Sequence, residues 1–205
     1  MRIFGVDTTA GEPAATGSSV PPTRRARPEH PSSPIPVQGP AIGAAVRVPL
    51  GETGMSVFPL VLGGSEFGWH VDLTESHAIL DRYVDLGGNM VHTADSHASG
   101  RSEHIIGQWL TSRAIRDDVV VATRVGGSAD NPGLGPVSLV RSVEASLRRL
   151  DTDRIDVLYL DGLSDQTTAL DDTLATAEWL VEAGKVRAIG AYGFAPERLV
   201  EARIL

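Results

Sequence analysis

The stretch SLVRSVEASLRRLDTDRIDVLYLDG, Ser138 to Gly162, decides the fold. In its first half Val140, Val143, Leu147 and Leu150 recur at three- and four-residue spacing, which is the apolar stripe of a helix. Ser138 stands where a helix is capped, because its hydroxyl can accept from a free N–H of the first turn. The second half, IDVLYLDG from Ile155 to Gly162, is a short apolar run bounded by turn residues. It is too brief for a helix and apolar on both faces, so it reads as a buried strand. A helix feeding such a strand is half of a unit that builds a parallel sheet.

The same alternation continues in both directions. Upstream lie the strand DVVVATRV (Asp118 to Val125), a helix from about Ser102 to Arg113 that buries Ile105, Ile106, Trp109 and Leu110, and the strand NMVHTA (Asn89 to Ala94). Before them a helix over Leu73 to Leu86 sets Ile79, Leu80, Tyr83 and Val84 on one face and stops at Gly87-Gly88. Asp72 and Glu75 open it as a capping-box-like pair. VRVPL (Val46 to Leu50), a GETG turn and MSVFPLVLGG (Met55 to Gly64) read as a hairpin running into a first buried strand. Downstream a helix from Leu170 to Ala183 carries Leu174, Ala177, Leu180 and Val181, with Trp179 expected in the core. VRAIGAYG (Val186 to Gly193) is the fifth strand, and Pro196 opens a last helix where its missing N–H costs nothing.

Five such strands alternating with amphipathic helices specify an α/β fold with a parallel sheet covered by helices. An open doubly wound sheet and part of a (β/α)8 barrel both satisfy the pattern. No GxGxxG follows the first strand, which argues against a dinucleotide-binding Rossmann unit. In either architecture the site lies in the loops at the carboxyl ends of the strands.

Composition narrows the functional classes. The chain has 205 residues, 18 basic against 26 acidic side chains, a net charge of −8 and no cysteine. An acidic surface is unsuited to nucleic acid or an anionic membrane, and the missing cysteines exclude disulfides and thiolate chemistry. No apolar run approaches the ~20 residues that span a bilayer, and the first residues lack a signal-peptide core, so the expected location is cytoplasmic. Residues 1–44 hold 8 of the 13 prolines and follow no periodicity, so they are expected to form a disordered Pro-rich tail before a folded domain over 45–205.

Several consecutive segments resemble those of the aldo-keto reductases. They are LGGSEFGW (Leu62 to Trp69), HTADSHASGRSEHIIGQWL (His92 to Leu110), DVVVATRVGG (Asp118 to Gly127), VRSVEASLRRLDTDRIDVLYL (Val140 to Leu160) and AGKVRAIGAYGF (Ala183 to Phe194). The resemblance implies a (β/α)8 barrel with an N-terminal hairpin that uses NADPH to reduce aldehydes and ketones. With about five strand–helix units, the chain is expected to form a partial TIM barrel.

The family's chemistry uses a tyrosine that protonates the carbonyl oxygen, a lysine and an aspartate that lower that tyrosine's pKa, and a histidine that orients substrate. The resemblance places the aspartate on His92, the tyrosine on His97, the lysine on Arg124 and the histidine on Asp161. All four differ. Imidazole titrates near 6.5 and phenol near 10, so His97 is a different acid. Arginine stays charged where lysine can lose its proton, and Lys185, the one lysine in the chain, sits before the fifth strand. The Ser-Asn pair that holds the nicotinamide carboxamide becomes Tyr192-Gly193, and Gly193 has no side-chain amide. The sequence ends at Leu205, whereas the resemblance implies three further strands with most of the remaining cofactor contacts.

The expected outcome is a family member without standard carbonyl reduction and with no bound cofactor, NADPH being implied by resemblance alone. His92, His97, Arg124 and Asp161 instead suit a cofactor-independent acid–base enzyme (a lyase, isomerase or cyclase), or a non-catalytic binding or regulatory subunit. His-x-x-Asp-x-His on a strand and loop is a weak metal pattern, so no metal is expected. Trp69 and His70 are expected to line a pocket for a small-molecule ligand. Open sheet edges imply a homo-oligomer or a protein partner that covers them.

Overall fold

Ser56 and Asn89 show how the first segment is tied to the sheet. The computed structural model describes residues 46–204, and the Pro-rich tail expected over residues 1–44 lies outside the described residues. Val48–Pro49 (β1) and Ser56–Val57 (β2) pair antiparallel as a short hairpin. Asn89 holds it in place: its Nδ2 donates to the Ser56 carbonyl at 3.0 Å, and its Oδ1 accepts from the Phe58 N–H at 2.7 Å. Only Leu62–Gly63 (β3) of the following run joins the sheet. The buried strand expected across Met55 to Gly64 is therefore corrected, with Leu60 and Val61 62% and 43% exposed. Pro59 divides the run, since it has no N–H to offer a ladder.

The rest follows the expected alternation. Leu73–Asp85 (α1), Met90–Ala94 (β4), Arg101–Arg113 (α2), Val120–Val125 (β5), Pro136–Leu150 (α3), Ile155–Asp161 (β6), Leu170–Glu182 (α4), Val186–Tyr192 (β7) and Pro196–Ile204 (α5) succeed one another. The sheet runs β3-β4-β5-β6-β7, parallel throughout, each strand beside its predecessor. It is an unclosed five-strand segment of a (β/α) barrel. Among the described residues no helix is long and apolar enough to cross a membrane.

Local chemistry sets the helix ends. The Asp72 side chain accepts from the Glu75 N–H at 2.9 Å, as the capping spacing implied. Ser138 does not cap α3. The helix starts two residues earlier at Pro136, whose fixed φ suits a first turn, and Ser138 falls inside it. Leu139 is fully buried in the stripe, while Val140 is half-buried. Trp179 is 48% exposed and Ile79 40%, so both leave the core assigned to them. Each sits one helical step from a fully buried neighbour, Leu180 or Leu80, at the rim of its stripe.

Two apolar layers flank the sheet. Behind it Leu80, Ile106, Trp109, Leu139, Val143, Leu150, Leu158 and Leu180 pack helices onto strands. Each such side chain contributes roughly 1.5–3 kcal/mol. Helices α2 and α3 approach closely at Gly107, where a Cβ would sit 2.6 Å from the Leu150 backbone. On the concave face a smaller cluster of Met90, Val120, Ala122, Val157 and Ala188 is floored by Met55 and Val57 of the hairpin segment.

Candidate functional site

Side chains alternate along a strand, and the register aligns those that face the concave side. One row is His92, Ala122, Val157 and Ala188; the next is Ala94, Arg124, Tyr159 and Gly190; Asp161 then stands beside Tyr192. Thus small residues floor the strands, and polar and aromatic groups crown their carboxyl ends.

Arg124 is the centre of the crown. Its Nη1 lies 3.5 Å from Asp161 Oδ2, and its Cζ stands 4.2 Å from the Tyr192 ring centroid. Asp161 is buried, and its Oδ1 accepts from the Leu163 N–H at 3.0 Å. The Arg124 Nε is buried and has no hydrogen-bond partner among the described residues. Guanidinium on an aromatic face is favourable by about 0.5–2 kcal/mol, depending on desolvation.

The histidines form the second group. His92 packs edge-on against His97, ring centroids 6.2 Å apart, and against Tyr159 at 5.6 Å. Burial, then the neighbouring His97 and Arg124, lowers the His92 pKa to about 4. Burial and Arg124 also lower that of His97, against an opposing pull from Glu103 and Glu66. Both rings are accordingly neutral at pH 7. The Nδ1 of His97 is buried and has no hydrogen-bond partner among the described residues. His97 begins a turn, His97–Gly100, in which Ala98 and Ser99 take left-handed φ values of 49° and 57°.

A buried polar layer supports the strand ends from behind. Glu103, fully buried, accepts from Arg149 Nε at 2.7 Å and from Thr123 Oγ1 at 2.6 Å. The Asp95 N–H donates to the Arg124 carbonyl at 2.9 Å, and Asp95 Oδ2 accepts from the Gly126 N–H at 3.1 Å. Its Oδ1 has no partner, and burial, reinforced by Glu103, raises its pKa to about 6.

The structure therefore brings His92, His97, Arg124, Asp161 and Tyr192 to one end of the sheet, with Gly193 directly after β7. Trp69 and His70 both stand exposed on the loop after β3. Trp69 is 63% exposed, and His70 faces Glu66 on its own loop, Nδ1 to Oε2 at 2.6 Å. Tyr159 was missed by sequence reasoning, although it stands two residues before Asp161 in a strand and so shares its face. Among the described residues no three His, Cys, Asp or Glu are placed to hold a metal ion.

Comparison with known proteins identifies the family and the fold. A profile of the Aldo/keto reductase family matches residues 59–204. The norsolorinic acid reductase stcV of Emericella nidulans is 37% identical over 154 residues, 67% of this chain and 40% of that protein. The aldo-keto reductase ausK of Aspergillus calidoustus is 37% identical over 155 residues, again 67% of this chain and 39% of that one. The solved holo form of an aldo-keto reductase from Bacillus halodurans superposes with a TM-score of 0.66 at 30% identity, covering 76% of this chain and 52% of that one. The chain spans about 40% of the length of these curated relatives. With the profile matched from Pro59 through α5, the chain belongs to the aldo/keto reductase family.

Proposed function

We propose that this chain keeps the family's barrel site as a small-molecule binding site and does not carry out NADPH-linked carbonyl reduction. The observation that carries this reading is Arg124. At the position of the family lysine stands a permanently charged guanidinium, stacked on Tyr192 and drawn toward Asp161. A group that cannot give up its proton, fixed in this way, does not reproduce an amine that tunes a phenol. The phenol itself is replaced by His97, an imidazole neutral at pH 7 with no proton to spare as an acid.

The cofactor side supports the same reading. The Tyr192 ring covers the Arg124 guanidinium, and Gly193 offers no amide for a carboxamide, so these residues do not fit a nicotinamide. Tyr159 is a weaker acid than an ordinary phenol, because burial raises its pKa. The test is fluorescence titration of the chain with NADPH, together with NADPH oxidation in the presence of aromatic and aliphatic aldehydes. Neither binding nor turnover is expected. Turnover at a rate typical of family members overturns the proposal.

A second reading, cofactor-independent acid–base catalysis, is favoured by the buried, unpartnered Nδ1 of His97 beside Arg124. Neutral imidazole there is suited to act as a base, with Arg124 holding an anionic substrate. In both readings the protein is cytoplasmic, and its outer strands are covered by a second copy or a protein partner.

A further inference from the structure

We propose that Arg124 and His97, with His92 beside them, form a site for a small carboxylate. The proposal deepens the binding-site reading above and rests on it.

The argument begins with what Arg124 leaves unused. A charge-assisted N–H···O bond is normally about 2.7–2.9 Å long. The Asp161 contact, at 3.5 Å from Nη1, is looser than that, and the other oxygen of Asp161 already accepts from the Leu163 N–H. Among the described residues Nε has no acceptor. Tyr192 covers one flat face of the guanidinium, so the donors left for a ligand are those in its plane, the buried Nε among them. A planar edge with two parallel donors is the shape that a carboxylate matches with two oxygens. An unmet buried donor has lost its water without gaining a partner, a cost that a ligand oxygen recovers on binding.

His97 completes the site. Its Nδ1 is buried and unpartnered, and its ring lies against His92 on the same concave side. The charged and titratable groups facing it are His92 of β4, Arg124 of β5, Glu103 of α2 and Glu66 of the loop after β3. Arg124 is the charge that most discourages its protonation. A carboxylate seated against Arg124 cancels that repulsion, so His97 takes up a proton as the ligand binds. A monoanion is balanced by this arrangement. A phosphate dianion, beside the Asp161 carboxylate, is not.

Titration calorimetry of the full chain with benzoate, in two buffers of different ionisation enthalpy, tests the site. One-to-one binding is expected, with proton uptake and an affinity that falls about tenfold between pH 6 and pH 8. Inorganic phosphate is expected to bind more weakly at each pH. Arg124→Gln is expected to abolish benzoate binding, and Arg124→Lys, which keeps charge and fold but loses the fork, to weaken it at least tenfold. His97→Gln is expected to retain binding and lose the pH dependence. No benzoate binding at millimolar concentration, binding unchanged in Arg124→Lys, no proton uptake, or tighter phosphate binding each overturns the proposal. Carbonyl turnover with NADPH overturns the preceding reading instead, so the two failures are told apart.

Discussion

Tyr159 lays its ring across Gly190, the residue beside it on the neighbouring strand, so closely that a Cβ on Gly190 would stand 2.6 Å from the ring. The missing side chain is what leaves room for the ring, which meets His92 edge-on at 5.6 Å. Gly190→Ala forces the ring off that position. A loss of about 1–3 kcal/mol is expected in urea unfolding, together with a change in the His92 ring proton shifts. Wild-type stability with unchanged His92 resonances contradicts this.

Asp95 gives the fold a pH dependence of definite sign. Its folded pKa, about 6, lies above the ordinary carboxyl value of 3.8, so the folded state holds its proton more tightly than the unfolded chain. Its contribution is fully present below about pH 4 and is lost as pH rises through about 6, a change on the order of 2–3 kcal/mol. Asp95→Asn, which keeps an acceptor for Gly126, is expected to be more stable than wild type at pH 7. The gap should close near pH 4. Urea melts of both proteins across pH 4–7 measure it, and parallel curves rule it out.

The buried carboxylate of Glu103 is neutralised by Arg149. Removing the guanidinium with Arg149→Ala leaves a buried charge with only the Thr123 hydroxyl for company. Destabilisation of about 3–5 kcal/mol is expected. The double change Arg149→Met with Glu103→Gln should recover much of it, which separates charge burial from lost packing.

Ala98 occupies left-handed backbone at φ 49°, a conformation that costs an L-residue about 1–2 kcal/mol. Ala98→Gly relieves it, less the entropy that glycine adds to the unfolded chain. A net gain of about 0.5–1 kcal/mol is expected in thermal melts. A loss would mean the Ala98 methyl packs more favourably than its backbone is strained.

The outer strands β3 and β7 each have one neighbour in the sheet among the described residues. Edges of this kind pair with other chains. Sizing with light scattering is expected to find the 205-residue chain associated with itself or with a co-purifying protein. A monodisperse monomer with a cooperative melt would refute this.

Periodicity made most of the fold legible. The paired spacing of Ile105, Ile106, Trp109 and Leu110 named a buried face because helix packing depends on a stripe, which sequence displays directly. What sequence hid was decided by tertiary context. Trp179 is apolar but at the edge of its stripe, and Pro59 cut a run that looked continuous. At the site, His92, His97, Arg124 and Asp161 are placed by the resemblance to the family's motifs, whereas the stacking of Tyr192 on Arg124 depends on a register between strands that no single segment encodes. Tyr159 was readable from the two-residue alternation of β6, yet stood out in no motif.

The two faces of the sheet hold the protein together unequally. The helices grip the strands through the thick layer behind, around Trp109, Leu150 and Leu158, while the front is lined mostly by small residues below its polar crown. Side chains of the polar crown can therefore be exchanged for others of different chemistry with less threat to folding than those of the layer behind. A scaffold organised this way can retire one reaction and acquire another occupant through changes at a handful of front positions, its architecture standing unaltered behind them.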